Sequence, residues 1–333
     1  MASFYCPVCE KDLETPVLKE CGRTFCSGLE RYTKYFTSNV GIKTYSISLA
    51  GGSSSGKTYY LINLIGRLTN QIEDIKLNQY LNSIGLEFNF ASKKSKDYFK
   101  ELKTILDRNK GYFATIPQAE GAEPFEIELI KNGRERFLLN IYNTAGEYYR
   151  TDNIDHKKWL NKGQFKDSNT YLYFIDPIED SGFNHLLNRE NKKNYKDGPP
   201  KDFDVLDVVQ ELMLKKENGA KIQAPFAVVL SKFDLLEHLN GQYFQQPYVE
   251  LEDIYRDGQS GNYGLQAKLK EVESFIEQFS TMSKPSKIKK HFFNTQYFGV
   301  SNMGHNSNFV LSDMNPKGIY APFFWILRQI NIL

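Results

Sequence analysis

The stretch LAGGSSSGKTYY, Leu49–Tyr60, carries the spacing Gly51-x-x-x-x-Gly56-Lys57-Thr58. Gly51, Gly52, Ser53, Ser54, Ser55 and Gly56 are small enough for successive backbone N–H groups to turn inward around phosphate oxygens. A helix starting at Lys57 adds its positive end to that nest. Lys57 then reaches the β and γ oxygens of a nucleotide, and Thr58 offers its hydroxyl to Mg²⁺. A plain Gly/Ser turn is the simpler reading, but the flanks oppose it. IKTYSISLA before the loop is apolar and β-branched, whereas TYYLINLIGRL after it has a helical apolar stripe.

A second cluster is Cys6-x2-Cys9-x11-Cys21-x4-Cys26. Two close pairs of cysteines in a chain expected to be cytoplasmic predict one tetrahedral Zn²⁺ site, with free thiols or disulfides as the alternative. The stretch is similar to the first half of a RING finger. Arg23 stands where that finger has histidine, and no cysteine follows Cys26, so a second zinc is excluded. His156, His185, His238, His291 and His305 show no metal spacing.

The elements that position these groups follow from the apolar patterning. Strands are predicted over Lys43–Ala50, Phe125–Lys131, Arg136–Tyr142, Thr170–Asp176, Phe226–Ser231 and Gln296–Val300. Several are continuous apolar runs, as in strands covered on both faces. Helices are predicted over Lys57–Thr69, Lys96–Asn109, Asp202–Lys216, Leu265–Phe279 and Ala321–Ile330. The alternation predicts an α/β fold: a mostly parallel six-stranded sheet with helices on both faces. Residues 1–40 form the cysteine module and connector, and residues 41–333 the main domain. Insertions are expected near 70–110 and 179–201, the latter containing NRENKKNYKDGPPK.

Composition narrows the function classes. Lys and Arg total 42 against 40 Asp and Glu, which leaves no electrostatic footprint for nucleic acid or an anionic membrane. The run Lys287–Lys290 reads as a solvated face. No apolar run approaches the ~20 residues of a bilayer span, and MASFYCPVCE has no secretory pattern. Ala2 and the ending RQINIL offer no lipidation signal. A cytoplasmic location is the expectation.

Further motifs carry a resemblance. RFLLNIYNTAGEYYRT looks like the strand and turn bearing D-T-A-G in Ras- and Rab-like GTPases, with Thr144, Ala145 and Gly146 matching and Asn143 at the aspartate position. FAVVLSKFDLLE looks like the guanine motif N-K-x-D, read here as Ser231-Lys232-Phe233-Asp234. QYFGVSNMG resembles the last motif of that family, with Ser301 and Asn302 at the base. From Ile42 onward the chain resembles the Ras-like (TRAFAC-class) P-loop GTPases. With its cysteine module and the ending PFFWIL, it more narrowly resembles bacterial double-GTPase (DO-GTPase) proteins.

The resemblance implies GTP/GDP and Mg²⁺ as ligands and slow GTP hydrolysis. It also implies a switch role in a bacterial conflict or defence system, with protein partners engaged through the zinc module or the insertions. Asp234 would accept two hydrogen bonds from guanine, with Lys232 along the base and Ser231 bonding within the loop; adenine offers no match. Gly146 would present its N–H to the γ-phosphate. Thr115 in ATIPQ is the switch threonine, in preference to Thr104 or Thr151, and joins Thr58 and Asn143 around Mg²⁺. Two departures bear on catalysis. Asn143 is neutral where the family has a carboxylate, which weakens Mg²⁺ binding. Glu147 stands where a glutamine orients the attacking water: ionised it repels the γ-phosphate, and with a raised pKa it donates or serves as a base. Ser53 crowds an incoming arginine finger. A catalytically impaired scaffold and a P-loop ATPase are the alternatives.

Overall fold

A computed structural model describes residues 3–6, 11–14, 42–52, 55–108, 124–143, 168, 170–188, 205–216, 221–257, 263–302 and 315–333. Strands β1 (Ser3–Cys6) and β2 (Lys11–Glu14) pair antiparallel, with Cys6 opposite Lys11. The main sheet is built from β3 (Lys43–Gly51), β4 (Leu86–Phe90), β5 (Phe125–Lys131), β6 (Glu135–Asn143), β7 (Thr170–Ile175), β8 (Phe226–Leu230) and β9 (Thr295–Gly299). Their spatial order is β4-β5-β6-β3-β7-β8-β9. The pairs β6–β3, β3–β7, β7–β8 and β8–β9 are parallel; β5 runs against both its neighbours.

The sheet thus has seven strands, not the expected six. The extra strand, β4, comes from the stretch expected to be an insertion. That stretch forms helix α1's successor α2 (Ile75–Ser83), then β4, then α3 (Lys93–Arg108), following α1 (Lys57–Leu68). Leu77, Leu81, Leu86, Phe88, Phe99 and Leu102 are all buried in the same core as α1. The Lys/Asn-rich composition had masked this, because only one face of each element is apolar and the polar faces dominate the count. Asp74 fixes the junction: it caps α2 through the Leu77 N–H (2.9 Å), pairs with Arg67 of α1 (3.2 Å), and accepts the Tyr320 hydroxyl.

The remaining helices are α4 (Ser181–Asn184), α5 (Val205–Lys216), α6 (Leu251–Asp257), α7 (Tyr263–Phe279), α8 (Pro285–His291) and α9 (Tyr320–Gln329), with a 3₁₀ turn over Phe233–Leu239. The central strands alternate between two cores. Leu172, Phe174, Ala227, Val229 and Phe298 face the core of α1 and α9, whereas Tyr171, Tyr173, Ile175, Val228, Leu230 and Tyr297 face that of α5 and α7. Two buried faces explain why β8 reads FAVVL with no polar residue. On α8, Lys287 pairs with Asp207 and Lys289 with Glu273, so two of the run's three lysines are matched by acids. Among the described residues no helix is long and apolar enough to cross a membrane.

The strand registers align the chemistry. Leu49 lies opposite Asn143, Gly51 opposite Phe174, Ile175 opposite Leu230, and Leu230 opposite Gly299. The carboxyl ends of β3, β6, β7, β8 and β9 therefore share one edge. The chain leaves β3 toward β4–β6 on one side and returns to β7–β9 on the other. Ligand crevices open at such a switch point.

Candidate nucleotide site

The loop after β3 is closed by its own residues. Lys57 is only 5% exposed, and its ammonium donates to the Gly51 carbonyl (2.8 Å), the Gly52 carbonyl and Ser55 Oγ (3.1 Å). Ser55 Oγ in turn donates to the Gly52 carbonyl at 2.9 Å. Gly56 caps α1 at φ 84, a left-handed backbone that suits glycine, and as N-cap it brings no side chain to the start of that 12-residue helix. A polyphosphate fits this arrangement: a small-residue loop, the positive end of a helix and a buried ammonium lie at the same edge. Ser53 and Ser54 lie outside the described residues.

Thr58 follows in the first turn of α1. Its Oγ1 accepts a hydrogen bond from Asn143 Nδ2 at 3.0 Å, so β6 ends directly on the hydroxyl assigned to Mg²⁺. The two oxygen-bearing side chains suit a hard cation's preference for oxygen ligands. Gly146, Glu147 and Thr115, the other groups expected around the γ-phosphate, lie outside the described residues. So do Cys9, Cys21 and Cys26. Among the described residues, no group of three His, Cys, Asp or Glu side chains is placed to hold a metal.

The base-side motif sits where β8 ends. Ser231 is fully buried and donates through Oγ to the Ile175 carbonyl at 2.9 Å, which joins the ends of β7 and β8. Lys232 adopts φ 49, and its ammonium meets Asp176 Oδ2 at 2.7 Å. This turn aims Asp234 into the first turn of the 3₁₀ segment, half-buried. The segment is braced from behind. Phe233 N–H donates to the Val300 carbonyl (3.1 Å), and Glu237 accepts from the Tyr248 hydroxyl (2.6 Å) and from Lys317 (2.8 Å). Burial, then the bond to Glu237, pushes the Tyr248 phenol far up, so it stays a neutral donor.

The last motif closes the circuit. Ser301 is fully buried and exchanges backbone hydrogen bonds with Lys317 at 3.0 and 2.8 Å. Asn302 is tied through side chain and backbone: its Nδ2 donates to the Gly56 carbonyl (3.2 Å), while its backbone carbonyl accepts from Asn63 Nδ2 of α1 (3.4 Å). A Cβ placed on Gly56 would stand 3.2 Å from that amide and 3.9 Å from Ser231 Cβ. Three motifs up to 246 residues apart in the chain thus meet at one glycine.

Sequence reasoning overlooked Asp176, Glu179 and Asn63. Asp176 had a legible signal, an acidic residue directly after a buried run at the carboxyl end of a parallel strand. Asn63 had none, because it sits inside an apolar helix.

A search among curated proteins found no match. Residues 48–252 match the model of the family described as Double-GTPase 1. The matched span runs from β3 through the phosphate loop, Asn143 and Asp234 into α6, which is more than half of the chain. With its loop, strand order and base-side turn arranged as above, the chain belongs to the P-loop GTPases of the bacterial double-GTPase type.

Proposed function

We propose that this protein is a guanine-nucleotide switch that binds GTP and GDP with Mg²⁺, hydrolyses GTP slowly, and signals its nucleotide state to a protein partner. The observation that carries the reading is the meeting of the phosphate loop, Ser231 and Asn302 at Gly56. It supports a phosphate half-site and a base half-site lying side by side.

The residues divide the work as follows. The loop from Gly51 to Gly56, with the first turn of α1, would hold the phosphates. Lys57 would exchange its carbonyl partners for β and γ oxygens. Asp234 would select guanine by accepting its two N–H donors, and a ligand lacking them would leave that carboxylate unmatched. Thr58, Asn143 and Thr115 would hold Mg²⁺, which when bound neutralises charge on the β and γ oxygens. Gly146 would donate its N–H to the γ-phosphate, and Glu147 would face the attacking water. Slow turnover follows from the neutral Asn143 and the acidic Glu147. Asn143 also favours a second reading, a nucleotide-dependent scaffold with little catalysis; single-turnover hydrolysis of GTP separates the two.

The cysteine quartet Cys6, Cys9, Cys21 and Cys26 would hold one structural Zn²⁺. The spacing of the two close pairs, Cys6-x2-Cys9 and Cys21-x4-Cys26, supports this. Family membership supports a cytoplasmic role in a bacterial conflict or defence system, with partners engaged by this module or by residues near 179–201.

The test is titration of wild type and Asp234→Ala with GTP and ATP. Wild type should prefer GTP by at least ~100-fold, and the variant should lose most of that preference. Equal affinity of wild type for ATP would replace the reading with an ATPase.

A further inference from the structure

One acidic side chain stands against the phosphate loop from outside it. A Cβ built on Gly52 would lie 2.3 Å from Glu179 Oε2, so the carboxylate occupies the space that any side chain at 52 would need. Gly52 is not merely a flexible residue; it is the place where a negative charge touches the loop. The same glycine's carbonyl accepts from Lys57.

The turn that delivers Glu179 is locked on both sides. Asp176 accepts from the Ile178 N–H (3.0 Å) and pairs with Lys232. The Glu179 and Asp180 N–H groups both donate to the Asp176 carbonyl at 3.1 Å. Asp180, 4% exposed, accepts from the Gly182 N–H (2.8 Å), Ser280 Oγ (2.7 Å) and Thr281 Oγ1 (3.1 Å). Asp176 reaches the base loop and Asp180 the residues after α7, whereas Glu179, between them, reaches the phosphate loop at Gly52.

We infer that Glu179 determines how the site weighs GTP against GDP: its charge on the loop opposes each further phosphate that the loop accepts. The inference rests on the proposed guanine-nucleotide site. Coulomb repulsion between a fixed carboxylate and a polyphosphate grows with phosphate charge and fades with salt. Glu179 therefore discriminates by phosphate number and not by base, in contrast to Asp234.

The experiment measures guanosine, GDP and GTP affinities at fixed Mg²⁺ for wild type, Glu179→Gln, Gly52→Ala and the double variant. Glu179→Gln keeps the side chain's size and removes its charge. It should leave guanosine unchanged, tighten GDP about threefold and tighten GTP about tenfold at low salt, with the gain shrinking in high salt. Gly52→Ala should give the same graded gain, because its Cβ expels the carboxylate, and the double variant should gain nothing beyond either single one. Equal shifts for all three ligands, no shift, or weaker GTP binding would each overturn the inference. Wild type that binds none of the three would instead overturn the guanine-nucleotide reading itself.

Discussion

Replacing Asp176 by asparagine removes one charge from the end of β7 with almost no change in volume. Its side chain is 2% exposed, and the Lys232 side chain 18%. The asparagine oxygen can still accept from the Ile178 N–H, now at 3.0 Å. Its amide, however, turns a donor toward the ammonium that Oδ2 holds at 2.7 Å. Removing one partner of a buried pair costs ~3–5 kcal/mol, and a lost charged hydrogen bond ~1.5–3 kcal/mol. Lys232 retains some access to water, which places the expected loss at about 2–3 kcal/mol. Urea denaturation should show this as a lower midpoint at unchanged slope. Because Lys232 sets the turn before Asp234, guanine-nucleotide affinity should fall as well. Lys232→Met with the double variant closes the cycle, and a coupling of at least ~1.5 kcal/mol is expected. A loss below ~0.5 kcal/mol, or no coupling, would refute the claim that this pair positions the base loop.

Other perturbations follow from the same geometry. Gly56→Ala should destabilise the fold by about 2 kcal/mol, since the left-handed backbone alone costs ~1–2 kcal/mol and the new Cβ presses on Asn302; thermal unfolding and GTP titration both read it. Asn143→Asp should lower the Mg²⁺ concentration that half-saturates GTP binding about tenfold. One added charge at a water-screened separation of about 6 Å from a divalent ion is worth ~1.4 kcal/mol. Glu250 has its pKa raised, first by burial and next by Glu252. A carboxyl with a raised folded pKa contributes stability below its unfolded value, and that contribution is lost as pH rises through the folded one. Glu250→Gln should therefore be more stable than wild type at pH 7, with the difference closing toward about pH 4 in denaturation curves.

The phosphate loop was legible because its information is local. Glycine spacing, a lysine and the change from strand to helix patterning all lie within a dozen residues, and the structure places them as read. Six of the main sheet's seven strands were equally legible, several of them because burial on both faces writes itself as an apolar run, as in FAVVL. β4 was not: LEFNF alternates, lies in polar surroundings, and becomes a strand by pairing with β5. Of the site, Ser231 was read as bonding within its own loop, whereas its partner is the Ile175 carbonyl of the neighbouring strand. Asn302 was placed at the base by resemblance alone; that its side chain also ties the phosphate loop was not legible.

By itself, then, the sequence marked six of the main sheet's seven strands, the glycine-rich loop after β3, and the carboxylate proposed to meet guanine. Each depends on neighbours a few residues apart, where backbone period and side-chain type suffice. Tertiary structure decided what couples them: Asp176 with Lys232, Asn302 with Gly56, and Glu179 with Gly52. These pairs are brought together by parallel strands whose carboxyl ends share an edge. No local pattern encodes that meeting, because strand order and register are settled by the packing of the whole sheet.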